Sequence, residues 1–144
     1  MDGIEVCMFD QYGTVVDMQG GLTSIATPFL KAKGWSGNPN SFVTWWRRTH
    51  FENSMIDALL HKEHTPYREM GHRALAYTLE RAGIAHSMDE VSALVAQIER
   101  LRPFPDVPEA LARLKSLTRS RCSRTATRTC WRPPSLSTGS TSTR

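Results

Sequence analysis

The sequence predicts an α/β protein in which the first strand of a parallel sheet is followed by a long helical insertion, and three observations predict it. A short apolar, β-prone run from Ile4 to Phe9 stops at Asp10 and a Gly13 turn. From about residue 22 to 102, apolar residues recur at helical spacing with capping signals between them. A proline-rich stretch, Arg102-Pro103-Phe104-Pro105, then leads into one more helix.

Each element has its own signal. The strand is expected to be buried and parallel, with Cys7 a buried thiol inside it. Leu30 and Trp35 close a first helix. Phe42, Trp45, Trp46, Met55, Leu59 and Leu60 populate a longer second one, and Gly34 with Gly37 to Pro39 separates the two. Thr65 is expected to cap the third helix, with Pro66 at its first position; the helix runs to Gly83 with Met70, Leu75, Tyr77 and Leu79 on its apolar face. Ser87 and Glu90 form a capping box for the fourth, which continues to about Leu101. Asp106-Val107-Pro108-Glu109 opens a last helix through Leu114. One strand leaves both of its edges unpaired, so the fold requires more strands after residue 115.

Bulk properties narrow the function classes. The 144 residues, 40% hydrophobic and 22% charged, fit one globular domain. The net charge of +4 points towards nucleic acid only at first sight, because residues 116–144 carry six Arg and no acid, which leaves the remainder at about −2. The amino terminus has an acid at Asp2 and no basic region, and no apolar run approaches about 18 residues, which argues against secretion and membrane spanning. Cys7, Cys122 and Cys130 show no metal-ligand spacing, and neither do His50, His61, His64, His72 and His86. A cytoplasmic protein without metal or cofactor is expected.

The segment that carries chemistry is Phe9-Asp10-Gln11-Tyr12-Gly13-Thr14-Val15-Val16-Asp17. A strand fixes the direction of the Asp10 carboxylate, loop amides can hold negative charge, and the Thr14 hydroxyl can bond the carboxylate into one rotamer. Glycine lets the backbone approach a substrate closely.

These residues resemble the first motif of the haloacid dehalogenase superfamily, an apolar strand ending in FDxxGT, and the resemblance extends through the helical stretch to about Lys115. It implies a doubly wound parallel core, of which only the first strand is legible here, beside an inserted helical cap. The implied boundaries are residues 1–14 for the first strand and nucleophile loop, 15–102 for the cap, 103–115 for the return to the core and 116–144 for a disordered tail. In this family Asp10 is the nucleophile, assisted by Thr14. Phosphatases of the superfamily usually carry a second aspartate two residues further on, as general acid and base beside magnesium; this chain has Tyr12. A halide leaves without needing a proton, so Tyr12 favours the 2-haloacid dehalogenase branch, which displaces halide from C2 of a short acid through an aspartyl ester. The segment from Trp45 to Glu52 resembles that branch's cap segment and puts Arg47 at the halide-binding arginine, with Arg48 a rival one residue on. Tyr12 and Gln11 are expected at the substrate as well. A small 2-haloacid is the implied partner, without nucleic acid or membrane, and a homodimer is possible in the intact family.

The tail reads differently. It has 14 Ser or Thr among 29 residues from Ser116 and hardly any apolar periodicity. The family's second motif, a strand ending near LSNG, is absent where it should stand. Yet Arg121 to Pro134 can be back-translated into codons which, read one base earlier after a Ser120 codon ending in G, encode AVLSNGDPDMLEAA. A similar shift turns the last residues into something close to GLDFD. A frameshift near residues 115 to 118 accounts for the basic, Ser/Thr-rich composition. It removes the LSNG residues, the family's later lysine and its last acidic motif, so this chain is expected to have little or no activity. The alternatives are a magnesium-dependent phosphatase of the same superfamily and a module binding nucleic acid through residues 119–144.

Overall fold

The computed structural model describes residues 6–60, 65–115 and 119–122. The chain begins with β1 (Val6–Phe9), then runs through α1 (Met18–Ala32), α2 (Pro39–Leu60), α3 (Tyr67–Arg81) and α4 (Met88–Ala96). A 3₁₀ turn (Gln97–Arg100) follows α4, then α5 (Val107–Lys115) and β2 (Arg119–Cys122). The α/β class with a helical cap and an incomplete core stands as expected.

Helix α1 buries Met18, Leu22, Ala26 and Leu30, a strict i+4 row. Helix α2 buries Phe42, Val43, Trp46, His50 and Asp57 against α1 and α3, and α3 buries Met70, Gly71, Ala74, Leu75, Thr78 and Leu79 between α2 and α4. Gly71 lies where three helices meet: a Cβ there would stand 3.4 Å from Val95 Cγ1 and 3.7 Å from His50 Cε1, ordinary van der Waals distances. The capping box of α4 forms as read, with Ser87 Oγ accepting from the Glu90 amide and Glu90 accepting from the Ser87 amide, a motif worth about 1 kcal/mol. Glu90 also pairs with Lys33 at the end of α1.

Four expectations need correction. Thr65 does not cap α3; its hydroxyl and amide both bond the Asp57 carboxylate, at 2.7 and 3.0 Å. A carboxylate buried on α2 needs those donors more than an exposed helix end does. Tyr77 is half exposed under Arg81 and not on the buried face. The first strand is not buried throughout, since Met8 is 75% exposed and Cys7 half-buried; in the described residues helices cover only part of the sheet. Nor is the tail structureless from residue 116, because β2 pairs with β1 in parallel, Val6 opposite Arg119 and Phe9 opposite Cys122. Strand pairing uses backbone groups, which a polar composition does not remove, and α5 delivers the chain to the edge of β1. His61, His64 and Cys130 lie outside the described residues.

The two ends of the helical insertion lie side by side. Asp17 donates to the Arg102 carbonyl at 3.2 Å and Phe104 to the Val15 carbonyl at 3.1 Å, with Val16 and Pro103 bridged between them.

Candidate active site

The nucleophile loop connects β1 to α1. Asp10 follows the strand directly and is exposed, and the Thr14 hydroxyl donates to its Oδ2 at 3.2 Å. Between them the chain folds back on itself: the Gln11 carbonyl accepts from Val15 and Val16 at 3.1 and 2.9 Å, and Gly13 donates to the Val16 carbonyl at 2.9 Å. Gly13 has φ +95°, a region that side-chain-bearing residues rarely adopt, so the turn requires glycine although there is room for a Cβ. Buried Val15 and Val16 anchor the loop, and Asp17 ends it by accepting from the Gly20 amide at 2.9 Å, which caps α1.

A cavity of about 740 Å³ opens beside this loop, walled among others by Tyr12, Gln19, Arg47, His50, Phe51 and Tyr67. Tyr12 enters it from the loop, Gln19 from α1, Arg47 and His50 from α2, and Tyr67 from the start of α3. The Tyr12 and Tyr67 rings are parallel with centroids 6.2 Å apart, and Tyr67 meets the His50 ring at 4.2 Å. Tyr12 and Arg47 thus line one cavity, while Asp10 and Thr14 are joined to each other at the strand end and do not line it. Gln11 is not brought in: its side chain is buried within the turn and lines no part of the cavity.

Both neighbouring arginines line the cavity, but their partners differ. Arg48 donates to Glu52 at 2.7 Å, lies over the Trp45 ring and is 63% exposed. Arg47 donates through Nη1 to Gln19 Oε1 at 2.8 Å and has no carboxylate partner among the described residues. Its charge is available to a ligand.

No family model matches the chain. It is 30% identical over 117 residues to the (S)-2-haloacid dehalogenase of Xanthobacter autotrophicus, 81% of this chain and 44% of that protein. It is 26% identical over 116 residues to (S)-2-haloacid dehalogenase 4A of Burkholderia cepacia, 81% of this chain and 47% of that protein. The solved L-2-haloacid dehalogenase of Xanthobacter autotrophicus superposes with a TM-score of 0.73 at 25% identity, over 88% of this chain and 48% of that one. Over most of its length the chain is thus similar to part of the 2-haloacid dehalogenases of the haloacid dehalogenase superfamily.

The chain spans less than half the length of the curated haloacid dehalogenases it matches. A further solved structure of the Xanthobacter enzyme holds chloropropionic acid covalently bound. Among the wall residues that escaped the sequence reading are Gln19, His50 and Tyr67. The first turn after the Asp17 cap and the i+4 step from Trp46 to His50 were the available signals.

His50 carries a testable consequence. It is 4% exposed, Nε2 has no hydrogen-bond partner among the described residues, and burial lowers the imidazole below the ordinary histidine range, opposed by a hydrogen bond to the Tyr67 backbone. A folded group that resists protonation leaves stability unaffected well above about pH 6.5; below that the unfolded chain takes up the proton first. Stability therefore falls as pH drops from about 6.5 towards the lowered folded value. Thermal melts of the 144-residue chain between about pH 8 and 5 should show this decline, and His50→Gln should flatten it. An unchanged profile in the variant would refute the assignment.

Proposed function

We propose that this chain is the amino-terminal part of a cytoplasmic, metal-independent hydrolase that removes halide from short 2-haloacids. The observation that supports the reading is the Asp10–Thr14 pair two residues from Tyr12, which lines a cavity together with Arg47, a cation without a carboxylate partner among the described residues. An Asp10 carboxylate oxygen attacks C2 of the substrate with inversion, the carbon–halogen bond breaks, and its electron pair leaves on the halide. The Arg47 guanidinium meets the substrate's negative charge or the developing halide without a change of protonation. Water then adds to the ester carbonyl carbon, the acyl carbon–oxygen bond breaks, and a 2-hydroxy acid and a proton are released with Asp10 restored. Nucleic acid has no part in this reading, and a second acid for phosphate chemistry is lacking at Tyr12.

Residues 1–14 serve as strand and nucleophile loop, 15–102 as the cap and 103–115 as the return to the core. The pairing of Val15–Asp17 with Arg102–Phe104 supports these limits. Residues 116–144 are the out-of-frame stretch, and the place of β2, directly after α5, is where the displaced frame begins its strand AVLS. Phe51, Met55 and Leu59, exposed one turn apart on α2, suit a homodimer through the cap in the in-frame product.

Expression of the gene as read and of the reading frame one base away tests the proposal. The in-frame product should release halide from (S)-2-chloropropionate without magnesium and run at twice its chain mass, whereas the 144-residue chain should release none. Codons around 110 to 120 incompatible with LSNG, or halide release by the 144-residue chain, would sink the frameshift. Magnesium-dependent phosphate release by the in-frame product would favour the phosphatase reading.

A further inference from the structure

Arg47 is held in the cavity wall by a neutral group. Its Nη1 donates to Gln19 Oε1 at 2.8 Å, and Gln19 is fixed from the other side of its amide, where Nε2 donates to the Asn40 carbonyl at 3.1 Å and to Thr44 Oγ1 at 3.2 Å. The Thr44 hydroxyl in turn donates to the Asn40 carbonyl at 3.0 Å. This network allows one orientation of the amide, because a flipped Gln19 would turn its NH₂ towards the guanidinium and its oxygen towards two acceptors. Gln19 sits on the first turn of α1, directly after the nucleophile loop, so the clamp ties the loop's own helix to the α2 turn that carries Arg47.

A carboxylate would hold a guanidinium equally well. Cations elsewhere in the chain are paired in that way, Arg48 with Glu52 and Lys33 with Glu90. Arg47 has no such partner among the described residues, and Asp57, the carboxylate in the same wall, is engaged by both donors of Thr65. An uncharged acceptor fixes one N–H and leaves the positive charge and the remaining donors uncompensated, which a Glu at this position would not do.

We infer that Gln19 is the positioning residue of an anion site: it orients the Arg47 guanidinium by a neutral hydrogen bond and so keeps its charge for an anionic ligand, the carboxylate or halogen end of a haloacid. The inference rests on the reading of Arg47 as the substrate-side cation. It adds that residue 19 sets how strongly that cation acts.

The test titrates the 144-residue chain with 2-chloropropionate, following the backbone amide resonances of residues 44–50, with circular dichroism and thermal melts in parallel. The wild-type chain should show saturable shifts that Arg47→Gln removes. Gln19→Glu keeps an acceptor for Nη1 and should melt no lower than wild type, yet it should bind roughly tenfold more weakly or worse, because the pair neutralises itself. Gln19→Met removes the clamp but not the charge and should weaken binding only about threefold. A merely structural role predicts the reverse order, with Glu tolerated and Met damaging. Wild-type affinity in Gln19→Glu, beside loss in Arg47→Gln, would overturn the role of Gln19 alone. No saturable binding by the wild-type chain would overturn the Arg47 reading together with it. Should either Gln19 variant lose helix content, Thr44→Val loosens the same amide without touching a charge; it should weaken binding about twofold, and unchanged affinity there would overturn the inference.

Discussion

Asp10→Asn in the in-frame product is expected to lower halide release from (S)-2-chloropropionate by about three orders of magnitude or more, with the melting temperature hardly changed. The two halves of this expectation have separate causes. An amide oxygen is a poor nucleophile and cannot form the ester, so the first step has no substitute. Stability is spared because Asp10 is exposed and its carboxylate accepts from the Thr14 hydroxyl at 3.2 Å, a bond that an Asn oxygen can also accept. Halide electrode or colorimetric assays on matched preparations decide the first half and thermal melts the second. Retention of more than about a tenth of the rate would remove Asp10 from the nucleophile's role. A collapse of stability would instead make it a structural turn residue, the common fate of an aspartate before glycine.

Why this residue could be read from the sequence, and others could not, follows from the range of the interactions involved. Asp10, Gly13 and Thr14 act within one turn, so their spacing is itself the geometry. The row Met18, Leu22, Ala26 and Leu30 and the Ser87–Glu90 box are similarly local and were legible. Gln19 and Arg47 are 28 residues apart and meet only because α1 packs on α2, and His50 faces Tyr67 only because α2 packs on α3. Local rules also lost where tertiary demand was stronger: Thr65-Pro66 reads as a helix start, but buried Asp57 claims the threonine. The strand β2 had no side-chain signature at all, since the groups that pair it with β1 are the same in every residue.

Trp45 and Trp46 show the same limit, and their comparison gives the largest expected effect on stability. Adjacent tryptophans on a helix are indistinguishable to composition, yet one residue step of α2, a rotation of about 100°, separates their fates. Phe42, Val43, Trp46 and His50 share the buried face, with Trp46 at 1% exposure, while Trp45 is 60% exposed and covered in part by Arg48. Trp46→Ala empties one of the largest fully buried volumes in the core and should cost about 3–5 kcal/mol, against less than about 1 kcal/mol for Trp45→Ala. Domains of this kind are stable by only about 5–15 kcal/mol, so the first change removes a large share of the whole. Urea unfolding followed by far-ultraviolet circular dichroism, which does not depend on the deleted indole, measures both. Arg47 is the next residue along the helix, so loosening Trp46 should also release the guanidinium from Gln19 and abolish anion binding, whereas Trp45→Ala should leave it intact. Equal losses of stability in the two variants would mean that α2 does not present this face to the core, and the clamp between Gln19 and Arg47 would fall with it.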